Sequence, residues 1–193
     1  SGLIRDAGQT AVDAWRQAGH AKAELSRTSV VADHRDERID VDLDLAPGPR
    51  LSFGPLLISG NKRVRAERIR AIAGLPVGDI YDPDELDEAA ERLRRTGAFR
   101  AVTLADAEEA RADGTLPIDL TVVEEKRRRL GVGVEVSSTE GLTFSTFWMH
   151  RNLLGGAENL RFDFEIGNIG QQSDGSGIDY TLGGVFRRPA TPI

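Results

Sequence analysis

Two stretches of the chain alternate strictly between apolar and polar positions. Ile39, Val41, Leu43 and Leu45 are interleaved with Asp40, Asp42 and Asp44, and Leu116, Ile118, Leu120 and Val122 with Asp119 and Thr121. Each predicts a strand with one face packed and one face wet. Ahead of each lies the end of a helix, then a glycine and another strand: "AVDAWRQAGHAKAEL" from Ala11, with Gly19, and "AAERLRRTGAFRAVT" from Ala89, with Gly97. Helix, glycine, strand, hairpin turn and strand therefore occur twice.

The second copy has more in front of it. "LSFGPLLISGN" (Leu51 to Asn61) predicts a strand ending in a Ser-Gly-Asn turn. Val64, Ile69, Ile72 and Ala73 then follow near helical spacing, with Gly74 as the stop. "DPDELDEAAERLRRTG" is a marked helix, with Asp82 as N-cap, Pro83 at the first helical position and Glu85 completing a capping-box pattern. Leu86, Ala89, Ala90 and Leu93 form its expected buried stripe, and Glu88–Arg92 and Glu91–Arg95 its exposed i,i+4 pairs. Leu51 to about Lys126 thus reads as strand, helix, helix, strand, strand. One sheet face packs on two helices, as in a small α+β domain. The first copy lacks the opening strand and first helix, so residues 1–50 read as the C-terminal part of such a domain.

After "EEKRRR" the helical spacing stops. Leu130, Val132, Val134 and Val136 alternate with Gly131, Gly133 and Glu135. "LTFSTFWMH" puts Phe144 and Trp148 on the face of Leu142. Leu160, Phe162, Phe164 and Ile166 oppose Arg161, Asp163 and Glu165, and Ile178, Tyr180, Leu182 and Phe186 oppose Asp179, Thr181 and Gly183. Short turns, "SSTEG" and "NLLGGAEN", and a longer polar loop, "NIGQQSDGSG", separate them. Segments of this length and pattern fit a transmembrane β-barrel meander, where a tilted strand needs ~9–11 residues to cross a bilayer. The oily face would turn to lipid in such a barrel and inward in a soluble sandwich.

Composition narrows the chemistry more than the fold. The 193 residues include no cysteine and carry a net charge of −6. That rules out disulfides, thiolate metal ligands and thiol catalysis, and it argues against nucleic acid as a partner. No apolar run approaches 18 residues, so no transmembrane helix is encoded. "GVGVEV" lacks the third glycine and the βαβ frame of a dinucleotide site. "DHRDER" (Asp33 to Arg38) falls in a hairpin position, where solvated charge is the default. His20 and His150 are isolated, and no nucleophile–base or metal set emerges. The sequence predicts no catalytic residue, no metal and no cofactor. "EEKRRR" could meet nucleic acid or anionic lipid; its acidic neighbours favour a linker near a membrane surface.

With these features in order, residues 51–126 resemble a POTRA domain of the BamA/TamA outer-membrane assembly superfamily. The resemblance is carried by "FGPLLISGN", "LPVGDIYDPDELDEAAERLRRTGAF" and "LPIDLTVVEEK". "RNLLGGAENLRF" is similar to the turn between the second and third barrel strands, and "VFRRP" to the end of the fourth; the arrangement is closest to TamA-like proteins. The resemblance implies α+β POTRA domains followed by antiparallel strands of a truncated outer-membrane barrel: 1–50 part of a POTRA domain, 51–128 a complete one, and 129–193 about four barrel strands. Four strands do not close a barrel, for which ~8 is the practical minimum.

The resemblance implies no enzyme. It implies an outer-membrane assembly or translocation factor that engages unfolded outer-membrane, autotransporter or secreted polypeptides by strand pairing. The bilayer, through the barrel, and a TamB-like, inner-membrane-anchored, periplasm-spanning protein are the further expected partners. Exposed strand edges can accept an extended chain. In POTRA domains the strand after the second helix is such an edge: about Ala21 to Val31, and Phe99, Arg100, Ala101, Val102, Thr103 and Leu104. The first barrel strand, Leu130, Gly131, Val132, Gly133, Val134, Glu135 and Val136, is the second candidate, because in the family it forms the seam. Its glycines are expected to weaken side-chain packing there. Alternatives are a two-partner secretion pore, a soluble periplasmic peptide-binding or scaffold module whose last 64 residues form part of a sandwich, and the secretion module of an enzyme whose catalytic domain lies outside the chain.

Overall fold

A computed structural model describes residues 2–33, 38–138, 141–170 and 177–190. The element order is α1 (Gly2–Gln17), β1 (Glu24–Asp33), β2 (Arg38–Ala46), β3 (Ser52–Ser59), α2 (Ala66–Ala73), α3 (Pro83–Arg95), β4 (Phe99–Asp106) and β5 (Thr115–Glu124). It continues with β6 (Arg128–Ser137), β7 (Gly141–Arg151), β8 (Asn159–Ile169) and β9 (Asp179–Arg187). Among the described residues three sheets result: β1-β2, β3-β5-β4 and β6-β7-β8-β9. The centre of "DHRDER" lies outside the described residues, as does most of "NIGQQSDGSG".

The repeated pattern is borne out. β1 and β2 form an antiparallel hairpin with a register shift between Leu25 and Arg27. α1 lies close against it: a Cβ on Gly8 would stand 3.2 Å from Leu25 Cδ2. β1 starts later than the sequence reading, which placed it from Ala21. Residues 21–23 instead complete a turn, with Ala23 N–H donating to His20 O at 2.9 Å, and Ala21 and Ala23 are buried there.

The second repeat is the full β-α-α-β-β layer. Asp82 Oδ1 accepts the Asp84 amide at 2.9 Å and caps α3, and Gly97 (φ 67°) closes it. Gly74 (φ 58°) ends α2, its N–H donating to Arg70 O at 2.9 Å. On β5, Leu116, Ile118, Leu120 and Val122 are all buried, while Asp119 and Thr121 are exposed. Ile69 and Ile72 of α2, Ala89, Ala90 and Leu93 of α3, and Phe53 of β3 are buried as well. Each large apolar side chain so buried contributes roughly 1.5–3 kcal/mol. Leu86 departs from the expected stripe: one turn nearer the start of α3 on the same face, it is only half-buried. Arg95 pairs with Glu91 at 2.9 Å as expected, and Arg92 donates through Nε and Nη2 to Ala73 O at 2.9 and 2.7 Å.

By contacts the chain divides into two compact units, and the division runs through the β-α-α-β-β layer. The first comprises Ser1–Leu57, Leu75–Ala90 and Thr103–Leu120. Within it Leu51 N–H donates to Gly19 O at 2.9 Å, Arg50 Nε to Ala18 O at 3.0 Å, and Lys22 Nζ to Asp106 Oδ2 and Ala107 O, both at 2.6 Å. Buried Tyr81 packs its ring on Phe53, and burial with nearby Asp106 pushes its phenol up to about 12. The second comprises Ile58–Gly74, Glu91–Val102 and Thr121–Ile193, and holds the whole four-stranded sheet.

Candidate functional site

The register of the four-stranded sheet decides which residues share a face. Leu130 is opposite Trp148, Trp148 opposite Phe162, and Phe162 opposite Gly184. Val134, Phe144, Ile166 and Tyr180 align in the same way, as do Val132, Thr146, Phe164 and Leu182. One face is therefore a continuous apolar band across four strands, and it is open: Val132 is 72% exposed, Val136 80% and Leu182 78%. An apolar surface of that extent is not left to water.

The other face is polar and internally connected. Arg161 donates to Asp163 through Nε and Nη2 at 2.6–2.9 Å, and its guanidinium lies 4.3 Å from the centroid of the Phe147 ring. Arg129 approaches the same ring at 5.7 Å. Phe147 is opposite Gly131, and a Cβ on that glycine would stand 2.2 Å from Phe147 Cε1. The glycine thus makes room for an aromatic ring laid across the strand. This replaces the expected reason for Gly131, weakened packing, with a filled contact. At Gly133 the neighbour is only Ser145 Oγ, 2.7 Å from the Cβ position.

The two candidate edges lie on outer strands. β4, with Phe99 to Leu104, is an outer strand of its sheet, and so is β6, with Leu130 to Val136. An outer strand presents the N–H and C=O groups of alternate residues away from its one neighbour. Along β4, Phe99 and Val102 are buried, Arg100, Ala101 and Thr103 are exposed, and Leu104 is half-buried. The Val102 carbonyl accepts from Arg94 Nη2 at 3.1 Å. Among the described residues the hairpin strand β1 pairs with β2 alone.

Two carboxylates that the sequence does not single out organise the second unit. Glu124 ends β5, and its Oε1 accepts the amides of Lys62, Arg63 and Val64 at 2.8, 2.7 and 2.9 Å. Burial opposes its ionisation, but the three donors outweigh it and hold the carboxyl below its ordinary value. Glu158, 3% exposed, closes the turn between β7 and β8: Oε2 accepts from Leu154 N at 3.2 Å and Gly156 N at 3.0 Å. It too is held low: burial opposes ionisation, and the amide donors and nearby Arg188 prevail. Asn152 Oδ1 accepts from Ala157 N at 3.0 Å. The turn meets the start of α2, with Arg65 N–H donating to Gly155 O at 3.0 Å and Arg68 Nε to Gly156 O at 3.3 Å. Only the "NLLGGAEN" signature hinted at this closure. The expected linker "EEKRRR" shrinks to residues 125–127, because Glu124 belongs to β5 and Arg128 and Arg129 to β6.

Among the described residues no group of three or more His, Asp or Glu is placed to hold a metal, and no helix is long and apolar enough to cross a membrane. The second fact does not bear on strands.

Residues 52–125 match the family described as POTRA, surface antigen variable number repeat. Over 173 residues, 88% of this chain, the sequence is 22% identical to the outer membrane protein assembly factor BamA of Neorickettsia risticii (strain Illinois). The chain spans 22% of that relative's length. Among solved structures, BamA from Haemophilus ducreyi lacking POTRA domains 1–3 superposes with a TM-score of 0.74 at 17% identity, covering 86% of this chain and 31% of that one. CdiB from Escherichia coli gives 0.61 at 13% identity, covering 97% and 33%. At such identities the structural likeness is one of fold. A POTRA match over the β-α-α-β-β layer, a BamA relative along most of the sequence, and a fold shared with BamA from Haemophilus ducreyi make this chain similar to proteins of the BamA/Omp85 outer-membrane superfamily.

Proposed function

We propose that the chain belongs to a TamA-like assembly or translocation factor that engages unfolded outer-membrane or autotransporter polypeptides by strand pairing and helps insert or secrete them. The observation that carries this reading is the four-stranded sheet, apolar and open on one face and charged on the other, which follows the POTRA layer after only residues 125–127. The protein is an outer-membrane protein with its POTRA domains in the periplasm, and it is not an enzyme. We take residues 1–50 as part of a POTRA domain, 51–128 as a complete one and 129–193 as barrel strands.

In this reading the apolar band meets lipid and the Arg161–Asp163 face meets the barrel lumen. Substrate chains add to the open side of β6, or of β4 in the POTRA domain, through backbone hydrogen bonds alone. The TamA-like assignment, and with it a TamB-like periplasm-spanning partner, is supported by the sequence resemblance at residues 51–126 and 151–162.

The test is disulfide trapping in proteoliposomes of the full-length protein. Cysteine replaces Val132, and an unfolded outer-membrane substrate carries single cysteines along its last strand. A ladder of adducts with a two-residue period supports pairing on β6. Adducts with no periodicity, or none while substrate still assembles, would overturn it.

A further inference from the structure

β4 is an outer strand, and the hydrogen bonds at its two ends show which of its backbone groups turn away from β5. Glu125 N–H donates to Ala98 O at 2.8 Å, and Ala107 N–H donates to Pro117 O at 2.9 Å. Ala98 and Ala107 therefore both turn toward β5. In an extended strand, successive residues point their backbone groups to opposite sides. The separation from Ala98 to Ala107 is an odd number of residues, so one extra residue lies between them. Burial places it. Phe99 and Val102 are both buried with Arg100 and Ala101 exposed between them, whereas Val102 to Asp106 alternate regularly between covered and exposed. That is a β-bulge at Arg100–Ala101. Counted back from Ala107, the N–H and C=O groups of Val102, Leu104 and Asp106 face the open side of the sheet.

The Val102 carbonyl on that side is already taken. Arg94, in the last turn of α3, donates to it through Nη2 at 3.1 Å, and both residues lie in the second unit. Edge strands are commonly blunted by bulges and by charged side chains, and on β4 the two stand side by side. An incoming strand pairs by giving an N–H to a carbonyl such as this one. A guanidinium has donors and no acceptor. Seated on Val102, Arg94 therefore occupies the acceptor and presents donors to a chain that arrives with donors.

We propose that Arg94 is a gate on the β4 edge: seated on Val102 O it excludes an added strand, and displaced it admits one. The inference rests on the reading of β4 as a strand-pairing edge and gives that edge a selectivity. A chain that touches one or two residues does not recover the hydrogen bond it displaces. A chain extended along Val102, Leu104 and Asp106 gains several at once. The occupant is an extended polypeptide of strand length, recognised by its backbone.

The experiment uses full-length protein in proteoliposomes and, as probe, a fluorescent synthetic peptide with the sequence of the last strand of an outer-membrane β-barrel protein. A benzophenone side chain replaces Thr103, exposed beside Val102, and in separate samples Val132 on β6. Arg94 is exposed, so replacing it empties no core. R94A and R94M are each expected to raise the peptide adduct at position 103 roughly three- to ten-fold, the worth of one hydrogen bond, and to leave the adduct at position 132 unchanged. Methionine keeps an apolar stem and loses the donors. R95A, which removes the neighbouring cation paired with Glu91, should match the wild type. An unchanged or smaller adduct at position 103 in R94A and R94M overturns the gate. So does a rise in R94A that R94M does not share, which assigns the exclusion to the bulk of the stem, and so does an equal rise in R95A, which assigns it to charge alone. Adducts at position 132 with none at position 103 in any variant overturn the gate together with pairing on β4. No adduct at either position overturns the strand-pairing reading beneath both.

Discussion

Replacing Gly131 with alanine puts a methyl group where the structure has an aromatic ring. The new Cβ would lie 2.2 Å from Phe147 Cε1, 2.7 Å from Cζ and 2.9 Å from Cδ1, against a normal carbon–carbon separation of about 3.5–4.0 Å. The ring must withdraw by more than an ångström, out of its present place 4.3 Å from the Arg161 guanidinium. Overpacking of this kind costs about 1–3 kcal/mol. Losing part of an exposed cation–π contact adds about 0.5–1 kcal/mol. G133A meets only the Ser145 hydroxyl, which turns aside by rotation about χ1, so its cost should stay below about 1 kcal/mol. The assay is urea titration of the full-length protein in detergent, following loss of the compact form on unheated gels. A double-mutant cycle is the decisive part. In G131A/F147A the clash has no second partner, so the two changes should be less than additive by about 1–3 kcal/mol. Equal midpoints for G131A and G133A, or additive effects with Phe147→Ala, would refute the contact and the register that produces it.

Glu124 should make stability acid-sensitive. Its folded pKa lies below the ordinary 4.5, so the stabilisation is complete above that value and is lost as pH falls through the lower folded value. E124Q should cost about 1–2 kcal/mol at neutral pH and flatten that acid limb; an unchanged limb in urea titrations would contradict the amide clamp. Gly60 sits at φ 81° with its Cβ position 2.1 Å from Val122 O, so G60A should destabilise the protein by at least about 2 kcal/mol, and a neutral result would argue against the turn after β3. F162R should impair membrane insertion of the full-length protein far more than D163R, because an arginine near the bilayer midplane costs roughly 2–4 kcal/mol; comparable insertion of the two, measured by protease protection, would count against the assigned faces.

The elements legible in the sequence were those whose signals are local. Asp82, Gly74 and Gly97 announce helix ends within a few residues, and Leu116 to Val122 and Leu160 to Ile166 announce strand faces by alternation alone. What escaped depends on partners far along the chain. Glu124 belongs to a charge run, and only the fold brings the Lys62–Val64 amides to it from about sixty residues away. Gly131 reads as an absence of side chain until the register sets Phe147 across from it. Asn152 and Glu158 look like loop polarity but are buried and satisfied inside a seven-residue turn. Ala21 to Ala23 continue a strand-like run, yet the turn closed by His20 O takes them out of it.

The central claim is that the band of Leu130, Trp148, Phe162 and Leu182 faces hydrocarbon. The direct measurement is the environment of single cysteines at positions 162 and 163, each carrying a fluorophore, in full-length protein reconstituted into vesicles. Position 162 is expected to be quenched by spin labels on lipid acyl chains and shielded from water-soluble maleimide. Position 163, one residue along on the Arg161 face, should be indifferent to the lipid quencher and reactive when the lumen is open. A position 162 that ignores lipid-borne quenchers and is packed inside protein would contradict the account and leave a soluble module in its place.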